Sequence, residues 1–329
     1  NNETGYIRIG TFSSTTHDEF IQKFRELQAE GLKKLILDLR GNPGGYLQAA
    51  TAMADEFISG QKLLVYTKGK SFERQDYLAG KDGLFEKGPL CILIDDGSAS
   101  ASEILSGAIQ DWDRGTIVGR TSFGKGLVQE QYELRDGSAL RLTVARYYTP
   151  SGRCIQRSYV NGTDEYYNNI YERYKNGEFV HEDSVVSTDT TVYKTSKGRR
   201  VYGGGGIRPD VFVPIDTSMV NEKFLTAISY AREFVYNYSS HHSGFLEKYK
   251  SKEDFKKNFT ISDELLNEFY NNAESNGYKK GRETQPAVTA KLKLYLKGFF
   301  AREIWRQDGF YYIVNQDDNV IKAALKSMN

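Results

Sequence analysis

The sequence is poor in the residues behind the most familiar hydrolytic and metal chemistry. Its 329 residues hold four histidines and two cysteines. His17, His181, His241 and His242 all fall in polar helix-start or loop contexts, and no Gly-x-Ser-x-Gly elbow is present. A Ser–His–Asp triad is therefore not expected, and the four histidines read as surface residues. Cys91 and Cys154 lack metal-ligand spacing, and Cys91 lies in an apolar run, which predicts a free buried thiol. Two cysteines do not decide the redox compartment. Net charge is nearly absent, at +1, which offers no electrostatic footprint for nucleic acid or an acidic membrane surface. No apolar run reaches the ~18 residues of a transmembrane helix. The opening Asn1-Asn2-Glu3-Thr4 shows no signal peptide, leaving a mature form, an excised piece or a cytoplasmic protein as expectations. No internal repeat is found, and the only low-complexity tract is Gly203-Gly204-Gly205-Gly206.

What is present is an ordinary globular composition, 39% hydrophobic and 26% charged, long enough for about two domains. The first half alternates strand and helix. Strands are predicted at Tyr6 to Phe12, Leu35 to Leu39, Leu63 to Thr67, Leu90 to Ile94, Thr116 to Gly119, Leu127 to Leu134 and Ala139 to Tyr148. Helices are predicted at Thr16 to Glu30, at Leu47 to Ile58, and from Ser100 with Ile104, Leu105, Ala108, Ile109 and Trp112 on one stripe. This order implies an α/β fold with a largely parallel sheet covered by helices. Residues 159–202 are polar and Tyr-rich, including Ser187-Thr188-Asp189-Thr190-Thr191, and read as a surface excursion. A last strand at Val211 to Pro214 closes a domain spanning 1–215. Helical patterns at Asn221 to Tyr238, Ser262 to Asn272 and Pro286 to Gln307 place a helical subdomain at 216–329.

Two short segments carry the chemistry. Ser98-Ala99-Ser100-Ala101-Ser102-Glu103 puts a serine between a strand and a helix, where unpaired backbone N–H groups and the positive helix end can stabilise an oxyanion. Phe123-Gly124-Lys125-Gly126 holds a lone lysine between glycines. A lysine serves as general base once burial and a positive field favour its neutral amine. Each feature alone has a plain reading, an N-cap serine and a solvated lysine; their joint occurrence after strands of one sheet points to a histidine-free serine hydrolase. A phosphate-binding loop at Gly119 to Gly126 is the rival. It fails because Gly126 stands where Ser or Thr should hold Mg²⁺, and because Leu127 to Tyr132 reads as strand. The turn Gly41-Asn42-Pro43-Gly44-Gly45 is either chain reversal or a cradle of N–H groups for an anion.

Asp38-Leu39-Arg40-Gly41-Asn42-Pro43-Gly44-Gly45, Gly97 to Glu103, and Thr121 to Gln129 together resemble the C-terminal processing peptidases, also called tail-specific proteases. The resemblance runs in order from about Gly5 to Pro214, where Gly206-Ile207-Arg208-Pro209-Asp210 is similar to the family's closing motif. It implies a crotonase-like α/β core, Ser100 as nucleophile, Lys125 as general base and Gln129 as the residue that orients the lysine. It implies oxyanion donors at the backbone N–H groups of Gly45 and Ala101, and no cofactor or metal. An even offset along one strand would put Lys125 and Gln129 on one face. Members of the family usually carry a PDZ domain ahead of the core. Here Gly5-Tyr6-Ile7-Arg8-Ile9 resembles the segment that follows it, so no PDZ domain is expected in these residues.

The expected activity is that of a serine endopeptidase acting through an acyl-enzyme on proteins or peptides near a free C-terminus. The expected setting is outside the cytoplasm, in a periplasm or cell envelope. A peptide-binding or scaffolding module without turnover is the alternative, and an acyl-thioester enzyme of the same fold is a third reading. The Tyr-rich stretch and residues 216–329 carry no assignable motif. They are expected to be scaffold, with a substrate tunnel or a homo-oligomer contact as the other roles.

Overall fold

The computed structural model describes residues 3–80, 82–159, 162–184, 191–216, 221–242, 244 and 246–328. The chain forms two compact units, Asn1–Pro214 with Val320–Asn329, and Ile215–Asn319.

The first unit is built on β1 (Thr4–Arg8), α1 (Thr16–Ala29), β2 (Lys34–Asp38), α2 (Leu47–Asp55), β3 (Leu63–Lys68), β4 (Gln75–Leu78), β5 (Leu90–Ile94), α3 (Ala101–Asp111), β6 (Thr116–Gly119), β7 (Leu127–Glu133) and β8 (Ala139–Tyr148). After these come α4 (Thr163–Lys175), β9 (Val192–Lys194), β10 (Arg200–Tyr202) and β11 (Val211–Phe212). A five-stranded sheet in the order β1-β2-β5-β6-β11 is parallel throughout. Its central strands are buried on both faces, which is why they read as continuous apolar runs. Alternate residues serve opposite cores: Leu35, Leu37, Ile92 and Ile94 meet Met53, Ala54, Leu105 and Ile109 on one side. Ile36, Cys91 and Leu93 face the other way, toward Val320, Ile321, Ala324 and Met328. Both cysteines are free, and Cys91 is buried.

The α/β class is the one expected, with one correction to the sheet. β3, β7 and β8 do not extend the parallel sheet; with β4 they form a second, antiparallel sheet in the order β4-β3-β8-β7. Strand periodicity alone does not encode which strand is the partner. β3 pairs with β8 only at Arg146, Tyr147 and Tyr148, so the far part of the β7–β8 ribbon has no further strand beside it. Its apolar residues Tyr132, Leu134, Leu140 and Leu142 are exposed.

The stretch at 159–202 also differs from the expectation. It contains α4, and Tyr166, Arg173, Glu178 and Phe179 are buried rather than displayed on the surface. Ser187 to Thr190 lie outside the described residues.

The second unit is helical, with α5 (Glu222–His241), α6 (Lys252–Asn258), α7 (Asp263–Ser275) and α8 (Pro286–Val314). Asn221, Ser251 and Ser262 cap the first three through side-chain oxygens that accept from Phe224, Asp254 and Leu265 N–H. Pro286 opens α8, which is interrupted at Trp305 and Arg306, the latter at φ 54°. An aromatic core of Phe224, Phe234, Phe255, Phe259, Phe269 and Phe300 holds this unit together. The final helix, α9 (Asn319–Ser327), departs from the expected single block at 216–329. Its apolar face returns to the first unit and closes the parallel sheet over Cys91. No helix among the described residues is long and apolar enough to cross a membrane.

Candidate active site

Parallel strands end with their loops on one edge, and the turns after neighbouring β2 and β5 are laced together there. Asn42 is fully buried and donates to the Ile9 carbonyl, 2.9 Å, while its side-chain oxygen accepts from Gly44 N–H, 2.9 Å. Its own carbonyl accepts from Ala99 N–H, 2.9 Å, and from the Ser102 hydroxyl, 3.0 Å. Asp38 is anchored from both sides: Arg40 donates through its guanidinium at 2.7 and 3.0 Å, Arg8 at 3.0 Å and Tyr6 at 2.7 Å. Burial would raise the Asp38 carboxyl, but these donors hold it below the usual aspartate range.

Ser100 sits between that lacing and α3. Its backbone is at φ 55°, ψ −113°, a conformation an L-residue holds only when its surroundings impose it. Packed against it is Gly44, at φ 99°, where an added Cβ would lie 2.7 Å from both the Ala99 carbonyl and Ser100 Cβ. Gly45 is as constrained, since a Cβ there would stand 2.0 Å from the Phe12 carbonyl. Among the described residues the N–H groups of Gly45 and Ala101 donate no hydrogen bond, while the N–H groups of Gly41, Gly44 and Gly97 are all taken up by side chains. Two unpaired donors are thus left beside the serine, where an oxyanion would need them.

Glu103 joins the serine turn to the lysine loop. It is fully buried, and its carboxylate accepts from Ser100 N–H at 2.8 Å and Lys125 N–H at 2.8 Å through one oxygen. The other oxygen accepts from the Ser122 hydroxyl at 2.5 Å and Gly124 N–H at 2.7 Å. Burial raises the Glu103 carboxyl above its ordinary value, against the pull of these four donors. Tyr147 adds a second tie, its hydroxyl sharing one proton between the carbonyls of Ser100 (3.0 Å) and Lys125. Burial, and then the neighbouring Glu103 charge, push this phenol far up, so it stays a donor. Phe123 N–H donates to the Ser98 carbonyl at 2.9 Å, and the Phe123 ring meets Tyr166 edge-on at 5.7 Å.

Sequence comparisons place the first half of the chain beside known proteins. The model for "Peptidase family S41" matches residues 3–165, and a family of unknown function matches residues 223–306. The carboxyl-terminal-processing protease of Synechocystis is 40% identical over 153 residues, which is 46% of this chain and 35% of that protein. The carboxy-terminal processing protease CtpB of Bacillus subtilis is 37% identical over 162 residues, 48% of this chain and 33% of that protein. A solved photosystem II D1 C-terminal processing protease matches at 31% identity and a TM-score of 0.45, covering 64% of this chain and 42% of that one.

Residues 3–165 belong to peptidase family S41. The chain spans about a third of the length of the curated relatives it matches, 35% and 33% for the two named.

Within the S41 segment the structure brings Ser100, Ala101, Gly45 and the backbone of Lys125 together. The Lys125 side chain is half-buried, and its ammonium makes no hydrogen bond or ion pair among the described residues. No hydrogen bond joins the Ser100 hydroxyl to the Lys125 ammonium, so the two segments are tied through Glu103 and Tyr147 rather than bonded to each other. Gln129 lies in β7, opposite Thr143, with an exposed side chain. The expected one-strand relation between Lys125 and Gln129 does not hold: β7 begins at Leu127, and its pairing shifts register between Val128 and Gln129.

Other parts of the candidate site were not singled out from the sequence. Glu103 and Tyr147 are two; Gln156 accepts from Gly126 N–H at 2.7 Å; Arg173 donates to the carbonyls of Thr121 (2.8 Å) and Ser122 (3.2 Å). Ser100-x-x-Glu103 is the pattern of a capping box, and that signal would have flagged Glu103. Arg173 comes from a helix whose polar composition hid it. His17 is also corrected: it is partly buried, with its ring nitrogen 2.8 Å from the buried Glu56 carboxylate rather than free at the surface. Among the described residues no group of His, Cys, Asp and Glu is arranged to hold a metal ion.

Proposed function

We propose that this chain carries the catalytic site of a serine endopeptidase that cleaves protein or peptide substrates near a free C-terminus. The observation that supports it most is the Glu103 carboxylate, which fixes the N–H of Ser100 and the N–H of Lys125 in one buried network. In this reading Ser100 Oγ attacks the peptide carbonyl while Lys125 Nζ takes its proton. Gly45 and Ala101 N–H groups receive the oxyanion, and the lysine returns the proton to the leaving amine. Water, activated by the same amine, then releases the acyl group. Gln129 is assigned to orient the lysine once substrate is bound, and the half-buried Lys125 amine, with no counter-anion among the described residues, is available as the base. An extracytoplasmic setting, and substrate delivery by parts of a longer protein, belong to the same reading.

The lack of a hydrogen bond between Ser100 and Lys125, with Gln129 exposed, favours a second reading: a peptide-binding module of the same fold without turnover. Cleavage of an unfolded protein with an apolar C-terminus, read by mass spectrometry, separates the two. The parent should cut, and Ser100→Ala and Lys125→Ala should each lose at least about a thousandfold in rate. Binding of the peptide without cleavage by all three proteins would establish the silent module.

A further inference from the structure

Arg157 brings a positive charge to the lysine loop, and the proposed reaction assigns it no part. Its backbone N–H donates to the Gly124 carbonyl at 2.9 Å, so it lies directly against the segment that carries Lys125. Its guanidinium is held by neutral acceptors only. One terminal nitrogen donates to the Asn169 side-chain oxygen on α4, and the other to the Gly205 carbonyl at 3.1 Å. Its Nε is buried without a hydrogen-bond partner, and among the described residues no carboxylate forms an ion pair with it. Burial, and then the like charge of Arg173, bring this guanidinium down to about 10, which leaves it charged at neutral pH. A buried charge is ordinarily paired, so an arginine held this way needs a compensating charge nearby.

That charge is across one glycine. Gly124 N–H donates to the Glu103 carboxylate at 2.7 Å, while Arg157 Nε stands 3.2 Å from the position a Gly124 Cβ would take. Ordinary bond lengths along that path put the guanidinium and the carboxylate within about 9 Å of each other. Gly124 is at φ 91°, a conformation that favours glycine, and its missing side chain lets the guanidinium approach. The other groups around Glu103 do not supply a lasting positive charge. The Tyr147 phenol of β8 and the Tyr166 phenol of α4 are both pushed up by burial and stay neutral. Arg173 of α4 is matched by Glu178 at 2.7 Å. Lys125 meets Glu103 through its backbone N–H at 2.8 Å, and its amine must be neutral to act as a base.

We propose that Arg157 is a positioning residue whose buried charge keeps Glu103 ionised across Gly124, so that Glu103 can hold the N–H groups of Ser100 and Lys125. Only the ionised carboxylate accepts from all four of its donors, and the cation favours that form. The consequence for catalysis rests on the proposed peptidase reading; the coupling between the two charges does not.

NMR titration of the whole chain, with isotope-labelled glutamate carboxyls, tests this. The Glu103 signal is assigned by its absence from Glu103→Gln. Arg157→Met and Arg157→Gln remove the charge with side chains of different shape, so a failure of one to fold leaves the other to decide. Arg157→Lys keeps the charge and gives up the planar fork. The Glu103 midpoint should rise by about one pH unit in the two neutral variants and stay close to the parent's in Arg157→Lys. In a cleavage assay the acid limb of kcat/KM should move by the same interval in the neutral variants, with KM kept. A midpoint unchanged in the neutral variants, or moved as far by Arg157→Lys as by them, would overturn the assignment. A chain that shows the shift in Glu103 but cuts nothing would keep the coupling and remove the peptidase reading alone.

Discussion

At the residue scale the decisive group is Glu103, because its four acceptor bonds work only when it is ionised. Protonation would turn one acceptor lone pair into a donor facing a donor, loosening Ser100 or Lys125. Its folded-state carboxyl is raised above the ordinary value of 4.5 by burial. The folded state therefore holds this proton more tightly than the unfolded chain does. As pH rises through that interval, the contribution of Glu103 to stability falls while the network needed for catalysis forms. Activity should accordingly show an acid limb lying above pH 4.5, the ordinary glutamate value. Glu103→Gln sets an amide among four donors, leaves at least one unmatched, and should cost about 1–3 kcal/mol. A profile of kcat/KM against pH for parent and variant checks this: the variant should be weakly active and should lack the limb. An unchanged limb in Glu103→Gln would assign it to another group. Ser100, Lys125 and the glycines of the β2 turn were legible from residue type and order. Glu103 and Tyr147 were less so, because a buried carboxylate and a core tyrosine look like any others until their hydrogen-bond partners, distant in sequence, are in place.

At the element scale, α4 does what its composition conceals. Among its described side chains it is anchored by Arg173, 5% exposed, paired with Glu178 at 2.7 Å and stacked near Phe179 at 5.4 Å. That guanidinium holds two successive carbonyls of the segment leading to Lys125. Arg173→Ala would leave Glu178 buried and unpaired, and breaking such a pair costs about 3–5 kcal/mol. Arg173→Lys keeps the charge but not the planar fork, so it should recover part of the stability and little of the rate. Thermal melts beside kcat and KM check this, with the loss expected mainly in kcat because the lysine loop, not substrate contact, is released. Equal kcat in all three proteins would reduce Arg173 to a folding role. The same scale explains what periodicity reached. α1, α3 and β5 carry one strong apolar pattern each and were readable, with ends within a few residues. The antiparallel sheet was not, since β3 and β8 are joined across residues far apart in sequence, and the stripe of α4, Tyr166, Ile170 and Tyr174, is mostly tyrosine and sits in a polar stretch that masks it.

At the scale of the whole molecule, α9 ties the chain's last residues to its first strands. Val320, Ile321, Ala324 and Met328 are spaced to form one helical face, and Ile36, Cys91 and Leu93 are the alternate positions of the strands they cover. Lys34 adds a bond to the Met328 carbonyl at 3.0 Å, and Cys91 lies 3.2 Å from the Ser327 hydroxyl. A parallel sheet must be covered on both faces, and in the first unit α2 and α3 cover only one. Removing residues 320–329 would return the other face to water. Burial of a valine, an isoleucine and a methionine side chain stabilises by about 1.5–3 kcal/mol each, so the loss is about 5 kcal/mol or more. For a unit of this size each kcal/mol shifts the melting temperature by about 2–4 °C, giving a fall of about 10 °C or more. A thiol reagent reports the cause as well as the size of the effect. In the intact chain Cys154, only partly buried, should react while Cys91, at 0% exposure, stays protected until unfolding. In the truncated chain both thiols should react under native conditions. A truncated chain that melts early but keeps Cys91 protected would mean the sheet face finds other cover, and the stabilising role assigned to α9 would then rest elsewhere than on this packing.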